Sequence, residues 1–262
     1  MGAGLLAVAG APRTGWHRTG GVLQCDGVRV DAIAHEVGTP TYVYSAGVVR
    51  EHFGRLTRAF AAVPHRIHYS MKANSNLALL RVLRDLGAGV DIVSGGELHR
   101  AAVAGYGGGD VVFSGVGKSE REIEAALDAG VRFINVESEG ELRLVSAIAS
   151  GRGVRAPVAL RVNPEVSVAN PHDYIKTGEK GNKFGIPWDE ARGTARLARE
   201  LPGLALVGLD MHIGSQITSH LPYSHALARM MELLAAVRAD GADEIAYLDI
   251  GGGLFVPYEG EA

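Results

Sequence analysis

Cysteine is nearly missing from this sequence. Cys25 stands alone among 262 residues, which excludes an intrachain disulfide and a cysteine-rich metal site and suits a reducing compartment. A free, buried thiol is its expected role. Charge of one sign is lacking as well: the formal net charge is -3, and no basic run or stripe of the kind that tracks a phosphate backbone is present. Nucleic acid is therefore not an expected partner. No segment approaches the roughly 20 uninterrupted apolar residues of a membrane span. The short apolar run at residues 5–9 has no basic residue ahead of it, so it reads as a Gly- and Ala-rich terminus and not as a secretory signal. The histidines show neither the i, i+4 nor the His/carboxylate spacing of a metal site, and no GxSxG elbow offers an acyl-transfer nucleophile. The expectation is a cytoplasmic chain with no metal and no membrane contact.

What is present is an apolar fraction of 47% with only 21% charged residues, the balance of a globular core. A hairpin is expected around Asp26-Gly27, with another strand at residues 41–44 and a helix over residues 48–63 ended by Pro64. After Pro64 a rhythm begins. Apolar runs at residues 67–72, 90–94, 111–115, 133–137, 158–163, 207–212 and 247–251 alternate with helical patterns near residues 77–86, 97–104, 120–129, 139–150, 189–201 and 223–239. Strand alternating with helix at this period predicts a parallel sheet covered by helices, closed as a barrel or open and doubly wound. The expected class is α/β. Only seven such strands can be counted where a closed barrel needs eight. Either the strand at residues 41–44 closes the barrel or the sheet stays unfinished, with edges exposed. The division expected is an N-terminal segment, residues 1–45, and a barrel, residues 46–262.

The strand ends carry the chemistry. Lys72 closes the first run, in HYSMKANSN, with Asn74 as expected N-cap of the helix from Leu77. At the carboxyl end of a barrel strand a partly desolvated lysine can lose its proton and condense with an aldehyde. The following ends hold Asp91 and Glu97, residues 114–118 of SGVGKS, Glu137 and Ser138, Arg161 and Asn163, His212 and Ser215, and the glycines 251–253. So many ionisable residues and glycines at one end of a sheet point to one pocket. Glycine lets backbone N–H groups approach an anion, and phosphate sites in β/α barrels are frequently built by the last loops, so GGG is a candidate phosphate cradle or an ordinary tight turn. His212 is either a flat ring for stacking or a core histidine. Asp91 and Glu97 either orient a ring or the lysine, or serve as a buried acceptor and a first-turn helix carboxylate. SGVGKS lacks P-loop spacing and reads as a turn with Ser119 capping the next helix.

The ordered motifs YSMKANSN, DIVSGGEL, FSGVGKS, LRVNP, TGEKGNKFGI, HIGSQ and LDIGGG resemble the alanine-racemase-like (β/α)8 barrel of the group IV pyridoxal-phosphate decarboxylases, most closely the diaminopimelate decarboxylases. The resemblance implies pyridoxal 5'-phosphate as cofactor, held by Lys72, with His212 stacked on its ring and Ser215, Gly252 and Gly253 at its phosphate. Asp91, Glu97 and Arg161 match positions that orient the cofactor and its neighbours. An amino-acid substrate, meso-diaminopimelate, would lose CO2 to give lysine, in a homodimer. The family also has an eighth strand and a C-terminal β-domain, neither of which follows residue 247–251 here, so the chain reads as a truncated member whose residues 1–45 belong with that β-domain. Ornithine- or arginine-type decarboxylases, an amino-acid racemase on the same scaffold and a catalytically silent homologue remain alternatives.

Overall fold

The computed structural model describes residues 14–166 and 184–256. The run at residues 5–9 and most of the TGEKGNKFGI loop lie outside them. The chain opens with a small antiparallel sheet, β1 (Trp16–Thr19), β2 (Val22–Cys25) and β3 (Val28–Arg29), in that order. Asp26 and Gly27 turn the corner between β2 and β3 with φ of 50° and 81°, the two positive values of a type I′ turn, as expected at Asp-Gly. Cys25 is a free, buried thiol.

The Asp26 carboxylate has a second task. Its Oδ1 accepts the Gly15 N–H at 2.7 Å and the Ser45 hydroxyl at 2.7 Å, while Oδ2 accepts the Gly47 N–H at 2.9 Å. Ser45 is the N-cap of α2 (Ala46–Ala59), so one side chain fastens the hairpin to the first helix after it.

One expectation for this region fails, and one helix was not anticipated. Residues 41–44 form no strand; Tyr42 is 90% exposed and the stretch joins no ladder, so the barrel is not closed from here. Residues Val30–Val37 form a helix, α1, to which the sequence analysis assigned no element. Val30, Ile33, Ala34 and Val37 do have helical spacing, and Asp31 sits in the first turn where a carboxylate is favoured.

The rest is a seven-stranded parallel sheet in sequential order: β4 (His68–Ser70), β5 (Gly89–Ile92), β6 (Val111–Phe113), β7 (Phe133–Val136), β8 (Ala156–Arg161), β9 (Leu204–Asp210) and β10 (Tyr247–Asp249). Helices α3 (Leu77–Asp85), α4 (Gly95–Ala104), α5 (Glu120–Ala129), α6 (Glu139–Gly151), α7 (Trp188–Glu200) and α8 (Leu221–Ala239) connect them. Among the described residues β4 and β10 are left as edges, so the seven strands form an open barrel.

Strand parity sorts the side chains. Val90, Ile92, Val111, Phe113, Ile134, Val136, Val158, Leu160 and Leu209 face the helices and build the main core with Leu80, Ile123, Leu142 and Met230. On the other face, Val112, Phe133 and Ala159 form a small apolar floor inside the curved sheet, with the Tyr247 ring 5.3 Å from Phe133. Above that floor the same face turns polar, two residues further along each strand.

Three consecutive helices begin alike, at Ser-x-x-Glu. Ser94, Ser119 and Ser138 cap α4, α5 and α6, each hydroxyl accepting the N–H of a glutamate three residues on. The cap of α3 is Asn76, not Asn74. The strand ends at Ser70 and a 3-10 turn, Met71–Ala73, follows, so the helix starts directly after Asn76, whose Oδ1 accepts from Ala78 and Leu79.

Candidate active site

Lys72 lies in that 3-10 turn beyond β4, at the polar mouth of the curved sheet. Its side chain is exposed, so the expected partial desolvation is not provided by the described residues. Its charge nonetheless reaches two groups from different strands, lowering the pKa of both Asp91 and His212.

Asp91, on β5, accepts the Ser114 hydroxyl at 2.5 Å and the Ser70 hydroxyl at 3.3 Å. Burial pushes its pKa up to about 6, the Asp249 charge adds to the rise, and Ser114, Lys72 and Ser70 oppose it. Asp91→Asn therefore has a defined pH signature. Between the ordinary value of 3.8 and about 6 the folded protein holds a proton that the unfolded chain has lost, so this group makes stability fall as pH rises. The variant lacks that slope. Its stability relative to the parent, read by urea unfolding, shifts in its favour between about pH 4 and about pH 7; an unchanged difference would contradict the placement of Asp91.

His212 follows β9. Burial holds its pKa down to about 4, helped by the charges of Arg161 and Lys72, so the ring is neutral at pH 7. The Gly252 N–H donates to its Nδ1 at 3.3 Å, which leaves the ring proton on Nε2. The glycine turn is thus laid against the imidazole. Gly251 (φ 70°) and Gly253 (φ 89°) both occupy the left-handed region. A Cβ on Gly251 would sit 2.5 Å from the Met211 carbonyl oxygen, and one on Gly253 would collide with the carbonyl oxygen of Gly214. A Cβ on Gly252 meets nothing within 4 Å. Gly253→Ala should therefore lose roughly 1–3 kcal/mol from backbone strain alone, with the collision added. Gly252→Ala should unfold within about 0.5 kcal/mol of the parent. Thermal unfolding of the pair checks both.

The turn is held from two further sides. Asp249 Oδ1 accepts the Gly251 N–H at 2.8 Å, and the Tyr223 hydroxyl, from α8, donates to the Gly252 carbonyl at 2.6 Å. Ser215, exposed, has its Cα 3.3 Å from the position a Gly253 Cβ would take.

Arg161, at the end of β8, is buried between two carboxylates, donating to Glu137 at 2.9 Å and lying 3.8 Å from Asp210. Its guanidinium also lies over the Phe184 ring, 5.2 Å from the centroid. Glu137 accepts in addition the Gly185 N–H at 3.2 Å. Asp210 is buried and its pKa is raised well above its ordinary value, by burial first and by Asp249 second, against the pull of Arg161. Asp249 is raised too, by burial, while the Gly251 N–H, Arg161 and Asn135 oppose it.

Lys72, Asp91, Arg161, His212, Ser215, Gly252 and Gly253 therefore gather at one mouth. Glu97 is used differently: its Oε2 accepts the Val93 N–H at 2.7 Å, folding back over the start of α4. Lys118 of the SGVGKS motif is also drawn away, donating to the carbonyls of Gly115 and Asn135 and to Glu141 at 2.6, 2.7 and 2.9 Å. Reading strand ends alone missed Asn135, Asp210, Asp249 and Tyr223. The first three had a signal, since each lies two residues before a strand-end residue, on the same face. Tyr223 had none. Among the described residues there is no cluster suited to a metal ion and no helix long and apolar enough to cross a membrane.

Residues 46–262 match the family model described as the pyridoxal-binding domain of pyridoxal-dependent decarboxylases. A diaminopimelate decarboxylase of Pseudomonas aeruginosa is 47% identical over 91% of this chain and 57% of its own length. One from Vibrio cholerae is 45% identical over 92% of this chain and, again, 57% of its own length. The crystal structure of the Helicobacter pylori diaminopimelate decarboxylase complexed with L-lysine superposes with a TM-score of 0.85 at 38% identity, over 89% of this chain and 59% of that one. The chain thus spans well under two thirds of the length of these relatives. It belongs to the family of pyridoxal-dependent decarboxylases.

Proposed function

We propose that this chain holds pyridoxal 5'-phosphate on Lys72 and serves the decarboxylation of meso-diaminopimelate to L-lysine and CO2, a step of lysine biosynthesis. The observation that carries this reading is the meeting, at one mouth, of an exposed amine at Lys72, a neutral imidazole at His212 and a glycine turn whose middle residue is open to its surroundings. Those features fit a flat phosphorylated aldehyde.

When bound, the cofactor would supply an electron sink for the pair left behind as CO2 departs. The protein's own part is positional and electrostatic. Lys72 supplies the nucleophilic amine, with Asp91 beside it. His212 offers an uncharged face, and the backbone hydrogen bond from Gly252 keeps that face fixed. Ser215, Gly252 and Gly253 offer a hydroxyl and backbone N–H groups to the phosphate. Arg161, locked by Glu137 and Asp210, would offer a fixed positive charge at the wall of the mouth. Glu97 acts from behind by holding the end of β5.

The choice of substrate rests on the relatives' names and identities. The reading extends to residues 1–45 as part of a β-domain packed beside a barrel of residues 46–262, and to a homodimer in the cytoplasm, which one free thiol suits.

The protein, loaded with pyridoxal phosphate, is incubated separately with meso-diaminopimelate, ornithine and arginine. Lysine and CO2 from the first alone are expected; CO2 from ornithine or arginine alone, or a racemised product without CO2, would overturn the substrate. A second reading, cofactor binding without turnover, is favoured by β4 and β10 standing as edges among the described residues. Cofactor uptake with no CO2 from any of the three would select it.

A further inference from the structure

The glycine turn beside His212 carries three backbone N–H groups, and they are not equivalent. Gly251 donates to Asp249 Oδ1 at 2.8 Å and Gly252 to His212 Nδ1 at 3.3 Å. The Gly253 N–H has no partner among the described residues, although the Gly253 carbonyl accepts the Ile217 N–H at 2.9 Å. One donor of the turn is thus wholly uncommitted and free to meet an anion.

The direction of that donor is decided by one peptide plane. The bond from Gly252 to Gly253 is trans, so the Gly252 carbonyl and the Gly253 N–H face opposite ways. The peptides on either side are already fastened, at the Gly252 N–H and at the Gly253 carbonyl. The plane between them has glycine at both ends, where no Cβ resists a half-turn. Its carbonyl is held by the Tyr223 hydroxyl, which donates to it at 2.6 Å. Tyr223 lies in the first turn of α8, directly after Pro222, and its ring packs against the main core, so the hydroxyl is presented from a rigid base. Burial pushes its pKa up to about 12, and the phenol stays a donor at any working pH.

We propose that Tyr223 is a positioning residue for the phosphate group of the cofactor: by fixing the 252–253 peptide plane, its hydroxyl keeps the Gly253 N–H turned toward that phosphate. A plane turned over would present the Gly252 carbonyl oxygen to an anion, which it repels. Tyr223 itself need not touch the ligand. Its effect is therefore confined to the phosphate and does not extend to the aldehyde that meets Lys72.

The inference rests on the cofactor reading, and its test separates the two. The parent and Tyr223→Phe are titrated with pyridoxal 5'-phosphate and with pyridoxal, which has the same aldehyde but no phosphate. Borohydride-fixed label on Lys72 is the readout for both compounds, and the thermal midpoint without either is the control. Phenylalanine keeps the ring and removes only the hydroxyl. Tyr223→Phe should take up pyridoxal 5'-phosphate about tenfold more weakly, the loss of roughly one hydrogen bond, and pyridoxal as the parent does. The ratio of the two affinities is what counts, since a general loss of folded protein lowers both alike. Equal losses for the two aldehydes, or parental affinity for pyridoxal 5'-phosphate in the variant, would overturn the proposal and leave the cofactor reading standing. No uptake of pyridoxal 5'-phosphate by the parent would defeat the cofactor reading itself, and the proposal with it.

Discussion

Replacing Lys72 with alanine should cut CO2 release by at least roughly a thousandfold while leaving stability within about 0.5 kcal/mol of the parent. The two halves of this expectation have separate causes. Lys72 is exposed and makes no hydrogen bond or ion pair among the described residues, so the fold loses little with it. Its charge does act on Asp91 and His212, and Lys72→Ala removes that charge together with the nucleophile. Lys72→Arg separates them. The guanidinium keeps the positive charge but stays protonated at any working pH and cannot attack an aldehyde. If Lys72 acts through its amine, both variants are equally inactive; an arginine variant with a large fraction of parental turnover would show that only the charge matters.

The largest effect on stability should come from Arg161→Met. The side chains of Glu137 and Asp210 are 3% and 6% exposed, and Arg161 is the cation between them. Methionine fills the volume but leaves two buried carboxyls facing each other without a counter-charge. Breaking a buried pair in this way costs about 3–5 kcal/mol. For a chain of this size that is a fall of roughly 6–20 °C in thermal midpoint. Burial raises the Asp210 pKa, so that carboxyl takes up a proton readily and acid should soften the loss. Arg161→Met combined with Glu137→Gln should recover part of the midpoint, because the Glu137 charge no longer stands unpaired. Failure of the double variant to recover anything would mean that Arg161 stabilises through its packing on Phe184 and not through the ion pairs.

Much of this could be read from the sequence because periodicity survives local detail. The seven apolar runs after Pro64 became seven parallel strands in sequential order, since a run buried on both faces between Gly or Asp punctuation has few other uses. Residues 41–44 carried the same β-type side chains, Thr, Tyr, Val and Tyr, yet form no strand; propensity without a ladder partner is a weak cause. The helix Val30–Val37 was hidden by its neighbours, as a short amphipathic pattern following directly on a hairpin reads like its continuation. At the site, glycines and strand-end charges were visible as a list, but their use was not. Glu97 and Lys118 are charged residues at strand ends like Asp91 and Arg161, and tertiary contacts draw both of them into helix starts and carbonyl groups instead. The polar interior at Asn135, Asp210 and Asp249 was legible only by carrying the two-residue alternation back along each strand from the mouth.

The most direct measurement is borohydride reduction of the protein with pyridoxal 5'-phosphate, followed by peptide mass mapping. A single phosphopyridoxyl group on Lys72, lost in Lys72→Arg, is the result expected from an exposed amine beside His212 and the glycine turn. Labelling that spares Lys72 and falls on another lysine, or no labelling under conditions that saturate the cofactor, would contradict the account.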